Sequence, residues 1–155
     1  MRAMQSFGEV GDSPRPMMTF RIAGEWLAIP VEQVNRMAQP AILWPVPLSS
    51  SQHLGLMDDG GELIPVLELE RGPRTKELRG QERLVVIVHV RGEPVGLAID
   101  ATGRVYHGFR AGVADTPPPP FLADLGVQSV FSGDGQCWLL DPDRLWQDLQ
   151  TLESP

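Results

Sequence analysis

Residue types able to do chemistry are sparse in this chain. Its histidines, His53, His89 and His107, and its single cysteine, Cys137, stand far apart in sequence. No His-x-x-x-His or Cys-x-x-Cys pair offers the spacing a metal ion needs, so neither a metal nor another cofactor is expected. His89 alternates with Val88 and Val90, and Cys137 adjoins Trp138, so both read as structural. Asp58 and Asp59, with His53 nearby, are the one set a small hydrolase could use as general acid and base. In Asp58-Asp59-Gly60-Gly61, however, the same carboxylates are turn formers: Asp tolerates left-handed geometry, and Gly has no Cβ to clash. A calcium loop would need further oxygen ligands at regular spacing, and Gly133-Asp134-Gly135 lacks the Lys-Ser or Lys-Thr that follows a phosphate cradle. The four tryptophans suit a protein that binds proteins through aromatic anchors; Trp26 and Trp138 read as core, and Trp44 stays open.

The elements that must position these residues are short strands. Met17–Ile22, a turn at Ala23-Gly24-Glu25 and Trp26–Pro30 form a first hairpin; Val31–Met37 reads as a helical turn that passes into a strand near Val34. Gly55–Met57 and Leu63–Leu69 flank the Asp-Asp-Gly-Gly turn, and Pro65 places its strand at an edge or beside a bulge. Arg83–Val90 is apolar on both faces and reads as central. Arg91-Gly92-Glu93 turns it into Pro94–Asp100, followed by Ala101–Tyr106 with a bend at Gly103. Four prolines at 117–120 hold an extended segment before a helical turn near Phe121. A third hairpin spans Val127–Leu140, and Asp141-Pro142 is a helix-start signal. Short strands about ten residues apart imply small barrels or a sandwich, and the segments Met18–Ile29 and Leu84–Asp100 hint at an internal duplication.

Composition narrows the function further. The 155 residues are 42% hydrophobic, enough for a folded core, and carry a net charge of -7. That sign repels phosphate backbones and anionic lipids, which argues against nucleic acid or a membrane surface as partner. No intrachain disulfide can form from one cysteine, which suits a reducing, cytoplasmic setting. No secretory signal is visible, and the longest apolar run, Leu84–Val88, is far too short to span a bilayer.

Several segments, in order, resemble the CheW family of chemotaxis coupling proteins. They are Phe20–Pro30 with Val31–Met37; Gly55, Gly61, Pro65 and Leu69 of the family's Gly-x-x-Asn-Leu-Arg-Gly-x-x-x-Pro-x-x-Asp-Leu pattern, with Glu68 for its Asp; Val85–Val88; Val95–Asp100; and Leu139–Leu145. The resemblance implies a mostly β fold of two SH3-like five-stranded barrels sharing a core, closed by a short C-terminal helix. It divides the chain into a lead-in at 1–16 and a domain at 17–155, with a first barrel to about residue 80, a second to about 140 and a closing helix at 141–150. It also implies a non-catalytic adaptor between the cytoplasmic tip of a chemoreceptor and the regulatory domain of a CheA-type histidine kinase, recruited to membrane-associated receptor arrays. A type IV pilus chemosensory system is the alternative setting. Carried over by position, Val34, Arg36, Asp58, Gly60 and Gly61 are receptor-side candidates, and Leu84, Val85 and Thr102 are kinase-side candidates. Two departures stand out: Asp58-Asp59-Gly60-Gly61 replaces Asn-Leu-Arg-Gly, and Arg36 replaces a glutamate. A reversed ion pair, Arg36 with Asp58 or Asp59, is expected there.

Overall fold

The computed structural model describes residues 15–40, 42–44, 53–70, 84–132 and 135–146, with His53 described by its backbone alone. The expected lead-in at 1–16 lies outside the described residues up to residue 14. Within them, eleven strands follow in order: β1 (Met17–Ile22), β2 (Glu25–Pro30), β3 (Val34–Ala38), β4 (His53–Asp59), β5 (Glu62–Leu67), β6 (Leu84–Val90), β7 (Glu93–Ile99), β8 (Ala101–Tyr106), β9 (Arg110–Ala111), β10 (Gln128–Ser132) and β11 (Gly135–Leu139). A 3-10 turn at Val31–Gln33 separates β2 from β3, and a helical turn at Pro120–Ala123 follows the proline run. The expected closing helix at 141–150 is entered through a 3-10 turn, Pro142–Leu145, which the Asp141 side chain caps by accepting from Asp143 N at 3.0 Å; residues 147–150 lie outside the described residues.

Turn chemistry sets the hairpins. Ala23-Gly24 and Arg91-Gly92 both have positive φ at their two central residues (52° and 82°; 51° and 84°), as does Gly60-Gly61 (67° and 97°). Two-residue turns of that hand match the twist of the strands they join.

The strands form two sheets, ordered β8-β1-β2-β11-β10-β9 and β3-β6-β7-β5-β4. The expected division near residue 80 is corrected by this topology. The first sheet takes β1 and β2 from the start of the chain and β8–β11 from its end, while β3–β7 make the second. The boundary was misplaced because each half of the chain lends its leading hairpin to the other half's strands. Apart from β9, the two sheets correspond strand for strand: β8-β1-β2-β11-β10 repeats β3-β6-β7-β5-β4, including the parallel step from β2 to β11 and from β7 to β5. The hinted duplication of Met18–Ile29 and Leu84–Asp100 is therefore a pair of equivalent hairpins.

Both sheets are strongly curled. Tyr106 and Arg110 lie on opposite edges of the six-stranded sheet, which would stand about 24 Å apart if it were flat. The chain joins them across at most about 14 Å. Curling gives each sheet an inner face. Met17, Ala28, Phe109, Val130, Cys137 and Leu139 fill the first; Met57, Ile64, Val66, Val85, Ile87 and Ala98 fill the second. The outer faces meet in a third, larger core that joins Phe20, Leu27 and Ile29 to Val86, Val88 and Leu97, and includes Trp138 and Leu145. Burial of β6 on both sides follows: Val85 and Ile87 point into its own sheet, and Val86, Val88 and Val90 into the shared core.

Local irregularities have identifiable causes. Gly103 and Arg104 together oppose Thr19 in a bulge of β8, and the buried Thr19 hydroxyl donates to Arg104 O (3.0 Å) and accepts from Arg104 N (2.9 Å). Pro65 is not on an edge strand, since β5 lies between β7 and β4, but it does stand beside an irregularity, the register shift of β4 between His53 and Gly55. It is tolerated because its opposite residue, Leu56, turns both backbone groups away from it, to Trp44 (2.9 Å each). Pairing of β5 with β7 starts one residue later, at Val66. Trp26, expected in the core, is 37% exposed. Gly55 permits the Trp44 bridge, because a Cβ there would stand 2.8 Å from Trp44 O. Replacing Gly55 with Ala should destabilise the protein by about 1–3 kcal/mol, the usual cost of overpacking, read as a lowered thermal midpoint by circular dichroism.

Candidate functional site

The residues singled out at the β3 position and the β4–β5 turn come together at one end of the five-stranded sheet. Arg36 and Ala38 share the face of β3 that looks into the curl, as do Met57 and Asp59 on β4. β3 and β4 are the two edges of this sheet, about 19 Å apart if it were flat. Curling brings them close enough for the Arg36 guanidinium to pair with the Asp59 carboxylate. The pair sits over the inner core like a plug in the mouth of the curl. Its side chains are 46% and 26% exposed, so water and salt screen it partly. Of the two aspartates, only Asp59 makes the reversed pair. Asp58 points to the outer face and accepts from Gly61 N at 2.7 Å, which holds the Gly60-Gly61 turn. The structure thus gathers Arg36, Asp58, Gly60 and Gly61 at one corner, while half-buried Val34 packs against the shared core.

The kinase-side set is not one surface. Val85 is fully buried in the inner core and presents nothing to a partner, which corrects its assignment. Thr102 is exposed but belongs to the six-stranded sheet, not to the sheet of Leu84 and Val85. Leu84 is half-buried and pairs with Ile99, three residues before Thr102, so these two flank the crossover between sheets. Three residues in register, Trp44, Leu56 and Pro65, instead form a row across the outer face of the five-stranded sheet. Leu63 continues it, opposite Asp58. Trp44 and Leu63 are 52% and 58% exposed. Leu63 escaped notice because an apolar residue in an apolar run looks like core until the register shows which face it takes.

The groups of the hydrolase alternative do not converge. The backbone of His53 begins β4 and Asp59 ends it, about 20 Å along an extended strand. Asp59 is held by Arg36 and Asp58 by its own turn. Among the described residues no cluster of three His, Cys, Asp or Glu side chains could hold a metal ion. Nor is any described helix long and apolar enough to cross a membrane.

Residues 16–150 match the family described as the CheW-like domain. The chain belongs to the CheW-like family. It is 32% identical over 112 residues to protein FrzA of Myxococcus xanthus, covering 72% of this chain and 69% of that one. Its fold resembles that of the scaffolding protein TtCheW from Thermoanaerobacter tengcongensis, with a TM-score of 0.64, 21% identity and coverage of 83% of this chain and 89% of the other. Like its family, this CheW-like chain is a non-catalytic scaffold of chemosensory systems.

The Arg36–Asp59 pair should be modest and sensitive to salt. A double-mutant cycle of Arg36→Ala and Asp59→Ala, read by urea denaturation, is expected to give a coupling of up to about 1 kcal/mol. That coupling should shrink at high salt. The exchanged variant Arg36→Asp/Asp59→Arg should recover most of it.

Proposed function

We propose that this CheW-like chain couples the cytoplasmic tip of a chemoreceptor to the regulatory domain of a CheA-type histidine kinase, at membrane-associated receptor arrays. The observation that carries the proposal is a corner at which an apolar patch adjoins a defined set of charges. Trp44, Leu56, Pro65 and Leu63 form the patch, with Asp58 at its border and the Arg36–Asp59 pair behind the same turn. Aromatic and aliphatic side chains held on a rigid sheet lose little conformational entropy on docking, which is the character of a binding anchor. The scaffolding role named for the Thermoanaerobacter protein supports the same reading.

In this proposal the turn carrying Asp58, Gly60 and Gly61, with Arg36 and Val34, faces the receptor. The outer row with Trp44 and Leu63 faces the kinase domain, and Leu84 and Thr102 lie at the crossover beside it. The inverted charges then act on specificity more than on affinity. A receptor adapted to an arginine at Gly60 would meet Asp58 and a bare turn instead, and like-charge or unpaired contacts would penalise it.

The test is a pull-down of the purified chain with the regulatory domain of the CheA-type kinase encoded nearest to it, and separately with the cytoplasmic fragment of a receptor encoded there. Retention of both is expected. Trp44→Glu or Leu63→Glu should weaken kinase retention at least tenfold and leave receptor retention intact, and Asp58→Arg should do the reverse. Failure to retain any such kinase domain would end the coupling proposal.

A further inference from the structure

Four consecutive prolines, Pro117–Pro120, run through the connection between β9 and β10, and neither the fold nor the proposed coupling role accounts for all of them. Proline fixes its own φ at about −65° and pushes the residue before it into extended backbone. Pro117, Pro118 and Pro119 each stand before another proline, so all three are driven to the polyproline II conformation. Pro119 shows it, with φ −64° and ψ 160°. That helix has three residues per turn, so Pro117 and Pro120 share one edge, about 9 Å apart. Burial follows the same period: Pro117 and Pro120 are exposed, and Pro118 and Pro119 between them are half-buried.

Three of the four prolines have a structural task. Pro118 and Pro119 lie partly against the protein, and Pro120 opens the helical turn Pro120–Ala123, where a missing N–H costs nothing. Pro119 O accepts from Leu122 N (2.9 Å) and Ala123 N (3.0 Å). Pro117 neither packs nor starts a helix, yet it completes the outward edge. The ridge is stiff and held at both ends: Ala114 packs against the shared core before it, and Phe121 and Leu122 join that core after it. Among the described residues, no hydrogen bond takes up the carbonyls of Pro117 and Pro118. Charge around the ridge is acidic in sequence. Exposed Asp115 precedes it, exposed Asp124 follows it, and no lysine or arginine occurs between Arg110 and Arg144. Val113, upstream of Pro117, is 91% exposed.

We propose that the edge formed by Pro117 and Pro120 docks into a groove on a partner protein, walled by aromatic rings and rimmed by basic side chains. The two exposed pyrrolidine rings enter neighbouring slots between the aromatic rings. The carbonyls of Pro117 and Pro118 accept from tryptophan or tyrosine donors in the groove, and Asp115 and Asp124 meet its basic rim. A segment already extended loses little entropy on docking, which is why SH3, WW and EVH1 domains read proline-rich segments through aromatic-lined grooves. The ridge belongs to a connection of the six-stranded sheet, and it does not require the coupling role proposed for the corner of the five-stranded sheet.

The experiment titrates the isotopically labelled full chain with two purified probes, an EVH1 domain chosen for a basic rim and an SH3 domain chosen for an acidic one. Saturable binding of the EVH1 domain is expected, at least fivefold tighter than that of the SH3 domain, with NMR shifts confined to amides between Val113 and Asp124. Pro117→Ser removes one exposed ring and should weaken EVH1 binding at least fivefold, with an unchanged thermal midpoint because the ring packs against nothing. Asp115→Lys, the second variant, should weaken EVH1 binding and strengthen SH3 binding. Absence of saturable binding to both probes would overturn the proposal. So would binding that Pro117→Ser leaves unchanged, or shifts centred on another part of the chain. Equal or tighter binding of the SH3 domain, unmoved by Asp115→Lys, would overturn the basic rim.

Discussion

The shared core between the two sheets is the constraint on which the other features depend. β1–β2 and β6–β7 each carry apolar residues on both faces, and neither hairpin can bury both against strands of its own half. The exchange resolves this. Each hairpin lays one face against the other half's strands, inside a curl, and turns the second toward its twin. Curling follows because three or four strands and a borrowed hairpin must enclose the small inner cores. Once the sheets curl, their edge strands approach, and only then can residues as distant in sequence as Arg36 and Asp59 meet.

Edges that approach without a described backbone ladder between them leave a mouth, and what fills it is left to side chains. In the five-stranded sheet an ion pair fills it; in the six-stranded sheet the described residues Trp26, Arg104, Tyr106 and Gln136 help to line a cleft of about 360 Å³. The proposed docking surfaces are separated from this by geometry: they lie on outer faces and at turns, where the period of two in a strand places Asp58 and Leu63 but not Asp59 and Ile64.

Local features were legible in the sequence because local physics decides them. The Ala23-Gly24 and Arg91-Gly92 turns, the turn from Val31 into β3, the Asp141 cap and the doubly buried β6 all follow from residue type and short-range pattern. Assignment of strands to sheets was not legible. The pairing of Leu27 with Trp138 spans most of the chain and is selected by the core, not by anything near either residue. The same holds for Trp26, whose ring lies across Gly103 of a strand some 77 residues away and not in the core, and for Val85, whose family position suggested a surface and whose burial removes it. The ion pair was legible only as an inversion of a family pattern, and the choice of Asp59 over Asp58 needed the register. No motif announces the cleft, since its walls come from five strands.

The parallel pairing of β2 with β11 also has a consequence for synthesis. A chain emerging from the ribosome delivers β3 to β7 in one stretch, so the five-stranded sheet can assemble as soon as Ile99 is out. The β1–β2 hairpin, made first, must wait for Leu139 before its parallel partner exists. Through that interval Phe20, Leu27 and Ile29 can already rest on the outer face of the finished sheet, while Met17 and Ala28 face open water. Among the described strands, the β1–β2 hairpin is thus the part longest exposed to wrong pairings, and β11 is the strand that ends its exposure.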